Sequence, residues 1–380
     1  MSDLRIPLSE PCLNGNVRAY LDECVTTNFV SSVGPFVDRF EREFATFVGA
    51  HYAVACASGT AAIHTALRLF GVGPGDEVWV PSLTFIASAN PIAYQHATPV
   101  LFDSENVTWN GDPRLVVAEL ERRARQGGKL PKVVEMVHIL GQPAWLDEVE
   151  AACDRHGVVL IEDAAESLGA RFVGGRFAGR SVGTIGRVGC YSFNGNKVIT
   201  CGGGGMLVTD DPQLARRAKH LTTQARLPGL AYRHDEIGYN YRLPNIAAAL
   251  GVAQLEQLPA FLARKRDNAA AYDRRLAGRS GLTLPPRVEW AESSSWLYSV
   301  LIEASSFGCD RDALLERLNS AGVEARPVWT PLHTMAPYRD AVRLGSGAVA
   351  ERIAAQGLSL PSSVTLTSEQ RARVIDLVLG

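Results

Sequence analysis

Gly189-Cys190-Tyr191-Ser192-Phe193-Asn194-Gly195-Asn196-Lys197 is followed at once by Val198-Ile199-Thr200-Cys201 and by four glycines, Gly202 to Gly205. The apolar run 188–193 reads as a buried strand that delivers a single lysine onto a glycine-punctuated turn. The residues after Lys197 are apolar again, which places its amine among buried or cleft-lining groups. Burial disfavours the ammonium form, so such an amine can serve as nucleophile and base. A surface lysine capping a turn fits the same spacing, and the rest of the chain has to decide between the two.

Outward from this stretch, short apolar runs alternate with helical patterns. Residues 52–57, 77–80, 99–102, 133–137, 158–161, 189–193 and 206–208 each read as strands. Their length and β-branched content suit an α/β fold: a large domain with a mostly parallel seven-stranded sheet covered by helices. Before it, Phe36, Phe40, Phe44 and Phe47 recur at helical spacing and should dock on the core. After Asn245 a long helical pattern runs through Ile246, Leu250, Leu255 and Leu258, is interrupted at Pro259, and continues to Leu276. A strand pattern at 296–302 and a helix at 310–321 then predict a smaller α+β domain. The expected division is 1–254, an N-terminal segment with the large domain, and 255–380, a small C-terminal domain.

Composition narrows the function. The 380 residues are 46% hydrophobic and 21% charged, with a formal net charge of −2. That balance gives no electrostatic case for nucleic acid or an anionic membrane. The run MSDLRIPLSEP lacks a basic stretch followed by an apolar core, so no secretory signal is expected, and no apolar run is long enough to span a membrane. The seven cysteines form no CxxC pair. They read as reduced thiols of a cytoplasmic protein, with no metal site indicated.

Four features carry chemistry. The first strand runs into Ala57-Ser58-Gly59-Thr60, and a helix opens directly with Ala61-Ala62-Ile63. Strand, small-residue turn and helix N-terminus together bring N–H groups, two hydroxyls and the positive end of a helix dipole to one place, a natural phosphate seat. A simple Ser/Thr helix cap is the plain alternative. Neither a Walker loop nor GxGxxG is present, and Gly202 to Gly205 precede a strand, not a helix. The fifth strand ends in Ile161-Glu162-Asp163-Ala164-Ala165-Glu166. Asp163 thus falls where open α/β sheets bind ligands, which makes it a better candidate than an acid elsewhere; capping the next helix is the plain alternative. Phe85 follows another strand end. Phosphate seat, aromatic ring, acid and lysine are the set that pyridoxal 5'-phosphate requires.

At this point the sequence resembles the DegT-type sugar-nucleotide aminotransferases, which share the fold-type I architecture of aspartate aminotransferase. The motifs SGTAAIHTAL, EDAAES, YSFNGNK and IGYNYRLPNIAAALGVAQLEQL carry the resemblance. It implies that Lys197 bonds the cofactor's aldehyde and Asp163 partners its pyridine nitrogen. It also assigns the phosphate to Ser58, Gly59, Thr60 and Ser192, and ring stacking to Phe85. Glu166 falls where many relatives carry Gln or His near the ring hydroxyl. Asn240 matches an asparagine that reaches the neighbouring subunit's phosphate, which implies a homodimer with shared active sites. The runs Ser31-Ser32-Val33-Gly34, Leu221 to Arg226 and Ala325 to His333 look like the branch acting on 4-keto-6-deoxy-N-acetylhexosamine nucleotides in bacillosamine and legionaminic acid synthesis. Arg326 and His333 become candidate sugar or diphosphate contacts, against a surface ion pair and a helix-end histidine. The expected activity is transfer of an amino group, with L-glutamate as donor, to C4 of such a sugar. A GDP-perosamine-type aminotransferase, a sugar dehydratase and a non-catalytic regulator on the same fold are the alternatives. A dehydratase would carry histidine in place of Lys197, and a regulator would lack part of the constellation.

Overall fold

The computed structural model describes residues 5–380; residues 1–4, the start of the N-terminal run read above, lie outside them. All seven expected strands form: Tyr52–Cys56 (β1), Glu77–Pro81 (β2), Thr98–Phe102 (β3), Val133–Val137 (β4), Val159–Asp163 (β5), Val188–Ser192 (β6) and Gly205–Thr209 (β7). The C-terminal part adds Leu282–Thr283 (β8), Tyr298–Ile302 (β9), Arg326–Pro327 (β10), Val342–Leu344 (β11) and Gly357–Leu360 (β12).

The large sheet has the order β1-β7-β6-β5-β4-β2-β3-β11, so it is eight-stranded where seven strands were expected. The extra strand, Val342-Arg343-Leu344, pairs parallel with the edge strand β3. Three residues are too few to show an alternating pattern in sequence, and they become a strand only because β3 offers a free edge. Only β7 runs against its neighbours, β1 and β6. The other pairings are parallel, so the ends of β1, β2, β4, β5 and β6 that carry the next loop all lie on one side of the sheet.

Both faces of the sheet are buried, which is why its strands are apolar at nearly every position. Val134, Met136, Leu160 and Tyr191 belong to one apolar layer together with Phe40 and Phe44 of the helix Pro35–Val48 (α1). Val133, Ile161 and Cys190 belong to the other, with Ala62, Ile63 and Ala66 of the helix Gly59–Leu69 (α2). Each large side chain so buried is worth about 1.5–3 kcal/mol. Phe36, Phe40 and Phe44 are buried as their spacing predicts; Phe47 is half-buried.

The long helical pattern resolves into Asn245–Leu255 (α3) and Leu258–Leu276 (α4), bent by 60°. Pro259 sits in the first turn of α4, where its missing N–H costs nothing, so the interruption falls just before it. The second sheet, β10-β12-β9-β8, packs on α4 through Tyr272, Tyr298, Val300 and Leu358. Chain segments cross the expected division at 255 twice, with β11 joining the large sheet and Ile6 pairing with Val323. Along α4, Arg264, Lys265, Asn268 and Tyr272 donate to the carbonyls of Leu366, Ser362, Ser363 and Pro361. Those donors satisfy an irregular buried segment that has no ladder of its own.

Candidate active site

The loops leaving β1, β2, β5 and β6 meet at a cavity of about 230 Å³. Ser58, Gly59 and Thr60 form one wall, between β1 and α2. Ser58 is in extended conformation and its Oγ accepts from Ala61 N at 3.1 Å, so the cap and the candidate phosphate seat are the same residue. The first N–H groups of α2 have no intrahelical acceptor. Close packing leaves this wall concave. A Cβ on Gly59 would come within 2.8 Å of the Ser192 Cβ, and one on Gly205 within 2.3 Å of the Ser58 carbonyl oxygen.

Asp163 closes β5 and is 5% exposed. Its Oδ2 accepts from Ser88 Oγ at 2.7 Å and its Oδ1 from Ala165 N at 3.0 Å. Ser88 is itself held by Thr84 Oγ1 at 2.8 Å. Glu166 is equally buried: Oε2 accepts from Leu140 N at 2.7 Å and Oε1 from Trp329 Nε1 at 3.0 Å. Leu140 adopts φ 56°, a left-handed conformation costly for a β-carbon residue. Burial pushes the Glu166 carboxyl above its ordinary range, opposed by Lys197 and the Leu140 N–H.

Lys197 leaves the turn after β6, its N–H donating to Asn194 O at 3.0 Å. Its Nζ lies 3.9 Å from the centroid of the Trp296 ring. Burial lowers its pKa, while Glu166 and Asp163 act in the other direction. A lowered value leaves a larger share of free amine near neutrality, the form that attacks a carbonyl. Phe85 is half exposed on the cavity wall, 5.2 Å from the Trp329 ring.

Eight of the expected residues thus line one cavity: Ser58, Gly59, Thr60, Phe85, Asp163, Glu166, Ser192 and Lys197. Three do not. Asn240 is exposed, bridged to Thr223, and lies outside the cavity of its own chain. Arg326 is exposed on β10. His333, expected to meet a ligand, lies outside this cavity, its side chain only 2% exposed and both ring nitrogens engaged. Nδ1 lies 2.5 Å from Ser82 Oγ and Nε2 2.9 Å from Glu351 Oε1. Sequence reasoning missed Thr84, Ser88, Trp296 and Trp329, which also line the cavity. Thr84 and Ser88 flank Phe85 four residues apart, the one local signal available. Among the described residues no group of three or more His, Cys, Asp or Glu side chains could hold a metal ion.

The cavity has a seat that a Cβ would fill, a buried carboxylate with ordered donors, an amine of reduced charge and an open aromatic face. These residues fit pyridoxal phosphate. Comparison with known proteins agrees. Residues 11–379 match the DegT/DnrJ/EryC1/StrS aminotransferase family. EpsN of Bacillus subtilis (strain 168) is 42% identical over 378 residues, spanning 99% of this chain and 95% of that protein. The GDP-perosamine synthase of Caulobacter vibrioides is 39% identical over 377 residues, spanning 99% and 98%. Among solved structures, the aminotransferase TlmJ from Streptoalloteichus hindustanus superposes with a TM-score of 0.88 at 32% identity, covering 98% of this chain and 97% of that one. The chain belongs to the DegT/DnrJ/EryC1/StrS aminotransferase family and is a pyridoxal phosphate-dependent sugar-nucleotide aminotransferase.

Proposed function

We propose that the chain moves an amino group from L-glutamate to C4 of a nucleotide-linked 4-keto-6-deoxyhexose, in the cytoplasm, for bacterial surface glycans. The observation that carries this reading is the meeting of Lys197, Asp163 and Glu166 in one cavity beside the Ser58-Gly59-Thr60 seat. Two sugars fit this reading. The runs around Ser31, Leu221 and Ala325 support an N-acetylated hexosamine. GDP-perosamine synthases at 39% and 36% identity support the GDP-linked sugar without the N-acetyl group. A transamination screen with glutamate across UDP-, GDP- and dTDP-linked 4-keto sugars separates them. The reading fails if the cofactor-loaded chain aminates none of these sugars at C4.

Pyridoxal phosphate supplies an aldehyde that condenses with amines and a pyridinium ring that accepts the electrons of a broken Cα–H bond. In this reading Ser58, Gly59, Thr60 and Ser192 hold its phosphate and Phe85 supplies a stacking face. Asp163 holds a proton on the pyridine nitrogen, its carboxylate fixed in direction by Ser88 and the Ala165 N–H. Lys197 Nζ would be the amine that holds the cofactor's aldehyde, and its free form would be the base placed to take the proton from Cα of glutamate. Glu166, with an N–H on each oxygen, lies on the same wall as a second acid–base group.

The reading also includes a homodimer with shared sites. Asn240 is exposed and outside its own chain's cavity, as a residue serving a neighbour must be. Hybrid dimers of an Asn240→Ala chain and a Lys197→Ala chain contain one site with both defects and one with neither. Recovery of activity above the mean of the two parents is expected. Verified hybrids without recovery would place Asn240 outside any shared site.

A further inference from the structure

Trp296 stands between two buried lysines. It is 0% exposed as a residue, yet its ring lines the cavity. Lys197 Nζ is 3.9 Å from the ring centroid, well inside the ~6 Å over which a cation is attracted to an aromatic face. The indole Nε1 donates to Asn196 O at 2.7 Å, the carbonyl just before Lys197, so ring and lysine share one short piece of backbone. On the other side Lys265 Nζ donates to Trp296 O at 3.0 Å. The preceding Ser295 is held at φ 52°, and Gly141 packs so closely that a Cβ there would lie 2.9 Å from Trp296 N. A tryptophan that merely filled space would need none of these constraints.

We propose that Trp296 is a positioning residue for the reactive amine: its indole face holds the Lys197 ammonium by a cation–π contact. The contact keeps the amine over the cavity when it is unlinked, instead of letting it pair with a carboxylate. The charged groups facing Lys197 are Asp163 and Glu166. The Lys265 ammonium lies behind the tryptophan carbonyl, and the carboxyl of Glu135 is buried near Asp163. The inference rests on Lys197 being the reactive lysine, which borohydride fixation of the cofactor tests separately.

The test uses the full chain freed of cofactor, with acetic anhydride as the probe and peptide mass spectrometry to read acetylation of Lys197 across pH. Growth on increasingly fluorinated tryptophans weakens the ring's negative face while leaving its shape nearly intact. The labelling midpoint of Lys197 should fall stepwise along that series, by about half a unit to one unit at the end. Trp296→Leu should lower it as much, and Trp296→Phe, which keeps a ring face, should restore most of the shift. A midpoint that stays put along the fluorinated series overturns the proposal, whatever the two variants do to folding. So does an equal shift in the Phe and Leu variants.

Discussion

Lys197 and Lys265 approach the same tryptophan from two sides, and both lose charge preference to burial. Lys265 is 3% exposed and donates to two carbonyls, Trp296 O and Ser362 O at 3.0 and 2.8 Å. Among the described residues no carboxylate faces it, and burial brings its pKa down to about 7. Lys197 has two carboxylates nearby and a cavity in front of it. Desolvation is common to both, so a depressed pKa alone does not make a lysine a nucleophile. Open space for a reactant, and acids that recover the proton, make the difference.

The comparison breaks most clearly by exchanging what each lysine does. Lys197→Met should reduce amino transfer by about 10^4-fold, the scale of losing a positioned base, with no loss in melting temperature. If Lys265→Met costs as much activity per folded molecule, the division between the two lysines is wrong.

Asp163→Asn sharpens the electrostatic half of the contrast. The amide keeps an acceptor for the Ala165 N–H, and Ser88 can turn its hydroxyl towards Thr84. Structure should therefore survive while turnover falls by about 10^2–10^3-fold. Asn caps a helix as well as Asp does, so turnover and melting temperature both close to the parent's would instead mark Asp163 as a helix cap.

Lys265→Met should act on stability. It leaves the carbonyls of Trp296 and Ser362 without a donor, a cost of about 1–3 kcal/mol. Chemical denaturation at neutral pH measures it. Activity should drop only a few-fold, through a looser Trp296.

The same lysine also sets a slope with pH. The folded value of Lys265, about 7, lies below the ordinary 10.5. Between these values the unfolded chain binds a proton that the folded chain has released, so this group makes stability rise with pH. Below about pH 7 its full penalty is present. The stability of the parent relative to Lys265→Met should therefore grow from pH 7 to 10. A flat difference would mean that Lys265 stays charged in the fold.

Much of this was readable from residue order alone. The seven sheet strands are apolar on both faces, so each stands out as a run, and Phe36, Phe40 and Phe44 mark a helix face by spacing. Ser58, Asp163 and Lys197 were legible because each lies at a strand's C-terminal end or in the turn after it, and parallel strands deliver such residues to one side. Trp296 and Trp329 follow no such rule. They arrive from the C-terminal part by tertiary packing, Trp329 through Glu166 and Trp296 through Asn196. His333 illustrates the converse. Its setting in Pro331-Leu332-His333 suggested a ligand contact, and only the fold shows Ser82 and Glu351 occupying both nitrogens.

The donors that α4 extends to the segment 361–366 impose an order on synthesis. Lys265 leaves the ribosome 97 residues before Ser362, whose carbonyl it needs. The strands β1 to β7 and the Ser58-Gly59-Thr60 seat are complete earlier still. A nascent chain therefore owns a place for the cofactor long before it owns the backing for Trp296. Until Ser362 emerges, the Lys265 amine has only one of its two carbonyls, and the wall behind the reactive lysine stays unfinished. A segment made near the end of synthesis completes the wall behind a lysine made much earlier.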